Sequence, residues 1–496
     1  MRDQLSFFKA VSWGYTLHWG EQGISVVVFF LLAGLLGPKE FGVVAIATTF
    51  IAASQLILDQ GLISAIIQRP DLDEEHLNSA FWLNVCLGVV LVLVSVLLAG
   101  SWAAMTNSPE SRTIIYALSG CIMLEALSVV QIALLRREFK FKELSLRRNL
   151  SMSIGGVVGI GMALYGYKAW SLVGQQTIRD IVALLLVWKS SDWRPSIKFS
   201  RLKLIELLRF STPTFVGQMA TFAEGQAAAI VLATFFGPVA VGLYRIAEKT
   251  VGTVVTLARS SIHTASYPMF SQLQSVPSRL RESVLDSIHM SAATSLTTLT
   301  ALAAVSGSLL QWIGASWVPA GPAIRLLCIA GMAMSVADFT GPVIQAVGRP
   351  RQAAMLEWVK AVAAVLVLLL VGSAVRSASL DAQVFAMAAG RVLIVVLVIL
   401  PLYSFVLDRV VGVSWKDSLR VVFPAIVASV AILLSMECVG WCFTRYGLST
   451  SSLVVLATQG LAGAFVGTIT LMLLDQRVRS LTRMVRDTLL VRRLAR

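Results

Sequence analysis

Long apolar stretches separated by short polar connections recur along the whole chain. About fourteen of them have roughly 18 to 31 residues, enough for a helix to cross a hydrocarbon core about 30 Å thick. We therefore predict an all-α integral membrane protein with about fourteen transmembrane helices, called spans one to fourteen. Their approximate limits are residues 10–36, 41–66, 80–100, 113–135, 149–167, 169–188, 212–236, 240–270, 284–313, 321–346, 354–375, 382–407, 421–443 and 452–474.

A segment that joins spans one and two recurs without gaps 200 positions later, between spans seven and eight. Each copy places Gly-Pro between two apolar runs, which predicts a tight turn between helices. Six spans, an even number, separate the copies, so both enter the membrane in the same direction and the repeats are parallel. The residues of the first copy that are identical in the second are Leu32, Ala33, Gly37, Pro38, Gly42, Ile46 and Ala47.

This repeat predicts two six-helix lobes and two additional helices. Residues 1–195 would form the N-lobe with spans one to six, and residues 196–410 the C-lobe with spans seven to twelve. Residues 411–476 hold spans thirteen and fourteen, and 477–496 form a basic cytoplasmic tail. No connection exceeds about 25 residues, which leaves no room for a soluble catalytic or nucleotide-binding domain. A membrane enzyme, which would carry a long catalytic loop, is therefore disfavoured.

Composition and charge agree with a membrane protein. The chain is 56% hydrophobic and 14% charged, and its net charge is +14. Clusters of Lys and Arg occupy alternate connections and the C-terminal tail, which is typical of cytoplasmic loops and makes nucleic acid unnecessary as an explanation. The five cysteines lie in or beside spans without metal-ligand spacing, so we predict no disulfide, no metal and no cofactor.

Span eight carries a row of polar residues along one face. An ionisable residue near the bilayer centre costs roughly 2.5 to 3.5 kcal/mol on insertion scales, so such a row indicates a wet cavity or a paired network. For the first turn of this row the alternative to a wet cavity is that the charges of Arg245, Glu248 and Lys249 neutralise one another near the helix end. The candidate binding residues on this face are Arg245, Lys249, Thr256, Arg259 and His263.

The repeat-equivalent spans are polar as well. Span two has Gln55 and Asp59, and span seven has Gln218 and Thr221. We infer a central cavity between the two halves, lined mainly by spans one, two, seven and eight. The offset of 200 gives Asp59 the position of Arg259, and we expect these two to pair when the site is empty. The candidate carboxylates for coupling to a cation gradient are Glu21, Asp59 and Glu224.

Several motifs together resemble the polysaccharide-transporter family of lipid-linked oligosaccharide flippases. The resemblance covers most of the first 410 residues. The motifs are Leu-Gly-Pro-Lys-Glu-Phe-Gly at 36–42, Asp-Gln-Gly-Leu-Ile-Ser-Ala-Ile-Ile-Gln-Arg at 59–69, Glu-Glu-His-Leu-Asn-Ser-Ala-Phe-Trp-Leu-Asn at 74–84, Leu-Arg-Arg-Glu-Phe-Lys-Phe at 135–141 and Tyr-Gly-Tyr-Lys-Ala-Trp-Ser-Leu-Val at 165–173.

The resemblance implies membership of a superfamily that also holds MATE-type multidrug exporters and the lipid II flippase. It implies a transporter of the bacterial inner membrane that moves polyprenyl-pyrophosphate-linked oligosaccharide to the periplasmic leaflet by alternating access. Membrane lipids and the polysaccharide polymerase and export proteins are the implied partners. Exopolysaccharide such as succinoglycan, O-antigen and capsule all stay open as the product.

The polar residues are compatible with that substrate. Arg245, Lys249 and Arg259 are cationic donors for a pyrophosphate, and hydroxyl and amide groups such as Thr256 and Gln55 suit sugars. The alternative function is a MATE-type multidrug or cation antiporter, whose lipophilic cations would need an acidic and aromatic cavity. The net basic row on span eight disfavours it.

The alternating basic connections predict that both termini are cytoplasmic. A reporter that is active only in the cytoplasm, fused after Arg496, should be active, and a periplasm-specific reporter at the same position should be silent. The opposite pair of activities would contradict the topology.

Overall fold

The computed structural model describes residue 20 and residues 22–59, 61–445 and 453–475, and all regular elements within these residues are helical. The structure also contains a 3₁₀ turn at Ala315–Ala320 and a π-helical turn at Val395–Ile399. The helices are α1 (Gln22–Leu35), α2 (Pro38–Asp59), α3 (Leu62–Gln68), α4 (Glu74–Met105), α5 (Pro109–Ala126), α6 (Val129–Arg137), α7 (Phe141–Leu164), α8 (Ala169–Ser190), α9 (Arg201–Phe236), α10 (Pro238–Leu273), α11 (Pro277–Ile313), α12 (Gly321–Ala337), α13 (Thr340–Ala346), α14 (Pro350–Ala374), α15 (Leu380–Ile394), α16 (Leu400–Val411), α17 (Trp415–Arg445) and α18 (Leu453–Leu474).

The all-α membrane fold predicted from the apolar runs is confirmed. Ten helical stretches of the described residues are long and apolar enough to cross a membrane, and α1 is a shorter apolar helix. The helices α7, α8 and α10 have 24, 22 and 36 residues and each contains at least three charged residues, which in α7 lie in the first two turns. With these included, each of the fourteen predicted spans contains a described helix, and residues 10–19 and 21 of span one lie outside the described residues.

Among the described residues, the helices of three spans contain a break. Span four breaks between Ala126 and Val129, and span ten, its equivalent in the repeat, breaks between Ala337 and Thr340. Span two breaks after Asp59, where Gly61 has a φ of 71° that favours glycine. Its equivalent, span eight, has serine at 261 instead and continues as one helix. Asp59 therefore ends a helix, whereas Arg259 lies inside one.

The two Gly-Pro segments of the repeat touch each other. A Cβ atom added at Gly42 would overlap the carbonyl oxygen of Pro238, and one added at Gly242 would overlap that of Pro38. The first turns of α2 and α10 therefore pack backbone against backbone, an approach that only glycine permits. The repeated motif is thus the place where its own two copies meet.

The described helices form two compact units. One combines Met1–Arg245 with Glu357–Val384, and the other combines Ile246–Leu356 with Phe385–Arg496. The apolar core of the first includes Val43, Leu58 and Leu118, and that of the second includes Ile288 and Phe339. These units group helices by packing, so the lobe limits at 195 and 410, which rest on the repeat, stay a prediction.

Within the first unit, α4 holds the chain that leads into α9. The Trp82 indole donates to the Ser196 carbonyl at 2.9 Å, and the Ser196 N–H donates to the Asn78 side chain at 2.7 Å. The Ser200 N–H donates to the Ser79 hydroxyl at 2.8 Å. These bonds set the direction in which α9 enters the unit.

A charged cluster holds the same two helices together. The buried His76 ring lies 2.6 Å from the Asp73 carboxylate and 3.3 Å from that of Glu206, and Lys203 lies 3.0 Å from Asp73. Arg69 forms an ion pair with Glu206. Hydrogen bonds from His76 and Arg69 keep the pKa of Glu206 below its usual value, so the carboxylate stays charged and bound to both.

The glycine contact predicts a sharp difference between two substitutions to alanine. Gly42→Ala should destabilise the protein by about 1 to 3 kcal/mol, because the new methyl group displaces the backbone at Pro238. Gly120→Ala, in α5 with open space at its Cβ, should be neutral or slightly stabilising. Thermal unfolding of the purified proteins in one detergent checks this, and equal midpoints would contradict the contact.

Candidate functional site

A polar cavity of about 590 Å³ lies within the first unit, among spans that the sequence predicts to cross the membrane. Its volume is in the usual range of ligand sites. Water or a polar ligand must occupy such a space, because ionisable groups are costly to bury without either. The polar residues that line it are Gln55, Asp59, Glu125, Arg136, Arg147, Arg148, Gln218, Thr221 and Gln226.

Two helices supply the residues that the sequence had predicted. Gln55 and Asp59 come from the last turns of α2, and Gln218 and Thr221 come from α9. The Gln218 amide donates to the Asp59 carboxylate at 3.4 Å. The break after α2 and the anchored start of α9 bring these side chains to one wall.

Three arginines form the basic part of the cavity. Arg136 lies in the last turn of α6, and Arg147 and Arg148 lie in the second turn of α7. The Arg147 Nε donates to the Ala183 carbonyl at 3.0 Å, which holds its guanidinium in place. Against these three cations the lining has two carboxylates, Asp59 and Glu125, so the cavity has an excess of positive charge suited to an anion.

The amide Gln226 connects the cavity to the beginning of α10. Its side-chain oxygen accepts a hydrogen bond from Arg245 at 2.6 Å, and the same Arg245 nitrogen donates to the Thr49 hydroxyl at 3.0 Å. Arg245 is therefore bonded to a residue of the lining without lining the cavity itself, and substrate binding by Arg245 stays a prediction. An anion that bonds to Gln226 would act on Arg245 through this amide.

The deeper residues of α10 have partners in the second unit. Arg259 is buried, forms an ion pair with Asp338 and donates to the Gly331 carbonyl at 3.3 Å. The carboxylate expected for it was Asp59, and the structure supplies Asp338 instead. The Arg259 side chain is only 10% exposed, so it packs closely against its neighbours, and substrate binding by Arg259 stays a prediction.

The remaining predicted residues do not line the cavity of the first unit. Thr256 donates to its own helix at the Gly252 carbonyl, 2.8 Å away, and the His263 ring lies 6.3 Å from that of Phe339. Lys249 is half-buried on α10, and Glu224 is buried in α9. Glu21 lies outside the described residues. Substrate binding by Lys249, Thr256 and His263 therefore stays a prediction.

The sequence analysis missed Arg136, Arg147 and Arg148 as site residues. They stand between two apolar runs and were counted as loop charges, but α6 extends to Arg137 and α7 begins at Phe141. The missed indication was the pair Phe141 and Leu144, which lie three residues apart on one apolar helical face and extend α7 towards its N-terminus. Glu125, in the last turn of α5, is a further lining residue that the sequence analysis did not assign to the site.

A family model described as "Polysaccharide biosynthesis protein" matches residues 31–322, more than half of the chain. The chain belongs to this family. The match includes every polar residue of the cavity and the whole of α10. The cavity therefore lies in the part of the chain that the family model matches.

The chain is similar in sequence to three polysaccharide biosynthesis proteins of bacteria. It is 26% identical over 351 residues to the succinoglycan biosynthesis transport protein ExoT of Rhizobium meliloti, covering 71% of this chain and 70% of that protein. It is 23% identical over 330 residues to the lipopolysaccharide biosynthesis protein WzxC of Escherichia coli, covering 66% and 67%. The teichuronic acid biosynthesis protein TuaB of Bacillus subtilis is 23% identical, covering 66% and 68%.

Solved structures show the same fold. The lipid II flippase MurJ in an inward closed conformation has a TM-score of 0.74 at 13% identity, covering 94% of this chain and 99% of that chain. An inward-facing MATE family multidrug resistance transporter has a TM-score of 0.63 at 15% identity, covering 78% and 95%. The chain is thus a multi-pass membrane protein that shares the fold of these two transporters.

The pairing of Arg259 predicts the effect of neutralising either partner. Arg259→Met alone should destabilise the protein by about 3 kcal/mol, since it leaves the Asp338 charge without its partner. Asp338→Leu alone should act similarly, whereas the double variant should recover most of the loss. Unfolding midpoints of the four proteins check this, and additive losses in the double variant would contradict the pair.

Proposed function

We propose that this protein moves a polyprenyl-pyrophosphate-linked oligosaccharide across the inner membrane by alternating access during surface polysaccharide biosynthesis. The observation that carries the proposal is the convergence of Arg136, Arg147 and Arg148 on one intramembrane cavity. A pyrophosphate is a concentrated anion, and guanidinium groups bind phosphate oxygens in bidentate geometry. The positive excess of the cavity would offset the cost of taking that anion out of water.

The rest of the lining suits the sugar part of the substrate. Gln55, Gln218, Thr221 and Gln226 offer both donors and acceptors to hydroxyl groups. The similarity to ExoT, a succinoglycan biosynthesis transport protein, and to TuaB, a teichuronic acid biosynthesis protein, supports a polysaccharide product. The oligosaccharide itself would differ among relatives, because neutral polar groups bind many sugars.

A multidrug or cation antiporter is the weaker candidate. Lipophilic cations would be repelled by the three arginines, and Phe222 is the one aromatic residue of the described cavity lining. A cavity that selected such cations would have an acidic excess and more aromatic surface. The proposal therefore excludes them as the main substrate, and it assigns no chemical reaction to the protein.

A cation gradient is proposed to drive the cycle. Asp59 and Glu125 are the carboxylates of the cavity, and Asp59 already has Gln218 as a partner that could exchange with a bound ion. A proton or sodium ion bound there would favour one of the two access states. Transport that persists after collapse of both gradients would contradict this coupling.

Arg148 offers the sharpest test of the proposed function. Arg148→Gln should lower polysaccharide production in a flippase-deficient strain by about tenfold or more, because a charged contact to the pyrophosphate is lost. Arg148→Lys should recover part of it, since the charge stays and the bidentate fork does not.

Arg351→Gln is the matched control for this variant. It removes one exposed arginine from the first turn of α14, on the same predicted side of the membrane, and should leave production unchanged. All variants are compared at equal amounts in the membrane. Wild-type production with Arg148→Gln would contradict the assignment of the cavity to the pyrophosphate.

A further inference from the structure

A second cavity, of about 450 Å³, lies where α3 ends and where α6 turns into α7. The predicted topology puts these helix ends at the cytoplasmic surface of the membrane. The cavity is large enough for a small ligand and belongs to the same unit as the first. Nothing in the function proposed so far uses it.

Fixed positive charge is the main property of this second cavity. Its described lining contains Arg69, Arg136 and Arg137 but no carboxylate. Arg137 donates to the backbone carbonyls of Ile66 and Arg69 at 2.7 and 2.5 Å, so its hydrogen bonds hold it in place without neutralising its charge. Arg69 is oriented by its ion pair with Glu206, which lies outside the lining.

Arg136 lines both cavities. Within the part of the chain that the structure describes, its guanidinium forms no hydrogen bond or ion pair with another residue. An anion could therefore bind it from either side without displacing a protein partner. This position makes Arg136 the point at which an anion could pass from the second cavity to the first.

Apolar surface borders the arginines. Phe139 has a φ of 56° in the turn between α6 and α7, and its side chain is 64% exposed. Its ring lies 6.0 Å from that of Phe141, and both line the cavity with Ile67. Aromatic rings beside arginines at a membrane surface suit a ligand with an anionic head and an apolar chain.

We propose that this second cavity binds a phosphate group carried by a lipid, and that the pyrophosphate of the substrate rests there before it passes Arg136 into the first cavity. The second half of this statement rests on the proposed function. The phosphate bonds to Arg69, Arg136 and Arg137, while the lipid chain leaves along Phe139 and Ile67. The lipid thus keeps its chain in the membrane while its head enters the protein.

Arg69→Gln tests this site, because Arg69 lines the second cavity and not the first. Purified full-length protein in detergent is titrated with two probes, a polyprenyl pyrophosphate and phosphatidylglycerol, and bound lipid is counted by native mass spectrometry. The variant should bind the polyprenyl pyrophosphate about tenfold more weakly than the wild type, as expected for one lost charged contact.

Glu206→Gln is the matched control. It breaks the same ion pair but leaves the Arg69 charge in the cavity, so binding should be unchanged or tighter. If Arg69→Gln does not fold, Phe139→Ser at an exposed position replaces it and should also weaken binding of both probes. Weaker binding of the polyprenyl pyrophosphate alone identifies the substrate as the ligand, and weaker binding of both probes identifies lipid phosphates in general.

Wild-type binding of both probes by Arg69→Gln and Phe139→Ser would overturn the proposal. If both variants bind the probes like the wild type and Arg148→Gln loses polysaccharide production, the lipid-phosphate site is rejected and the proposed function is supported. Full production with Arg148→Gln would instead remove the proposed function, while weaker lipid binding by Arg69→Gln would still support a lipid-phosphate site.

Discussion

A charge inside a membrane must meet either water or a partner, and the polar helices of this protein use both solutions. Arg259 and Asp338 neutralise each other within the second unit, where the arginine is buried. Arg136, Arg147 and Arg148 line a space large enough for a solvated anion, and Arg147 is also held by the Ala183 carbonyl. The first arrangement stabilises helix packing, and the second leaves binding energy available to a ligand.

The cavity depends on irregularities in helices that would otherwise be continuous. Gly61, with a left-handed backbone, begins α3 close to Asp59, and the contacts of α4 with Ser196 and Ser200 direct α9 towards the same wall. Helix breaks at membrane depth are tolerated where they border a cavity, because water or side chains can satisfy the backbone there. The site therefore arises from backbone geometry as much as from its charged side chains.

The helical period and the apolar runs were sufficient to predict the spans, the repeat, and four cavity residues, Gln55, Asp59, Gln218 and Thr221. The arginines of α7 could not be separated from loop charges, because the apolar run begins after them while the helix begins before them. The partner of Arg259 lies in the turn between α12 and α13, about 80 residues further along, and periodicity within one helix carries no information about such distant contacts.

The contact between the two Gly-Pro segments has the form that two-fold symmetry gives to a dimer. Gly42 meets Pro238 while Gly242 meets Pro38, so each copy presents the same surface and receives the same surface. In an isologous interface of a dimer, the same residue of each identical subunit makes the contact. One glycine position in the sequence would therefore be enough for both contacts. In a single chain that holds both copies, the same contact requires two glycines, Gly42 and Gly242. A mutation of either one alone is then sufficient to disrupt the contact between the copies.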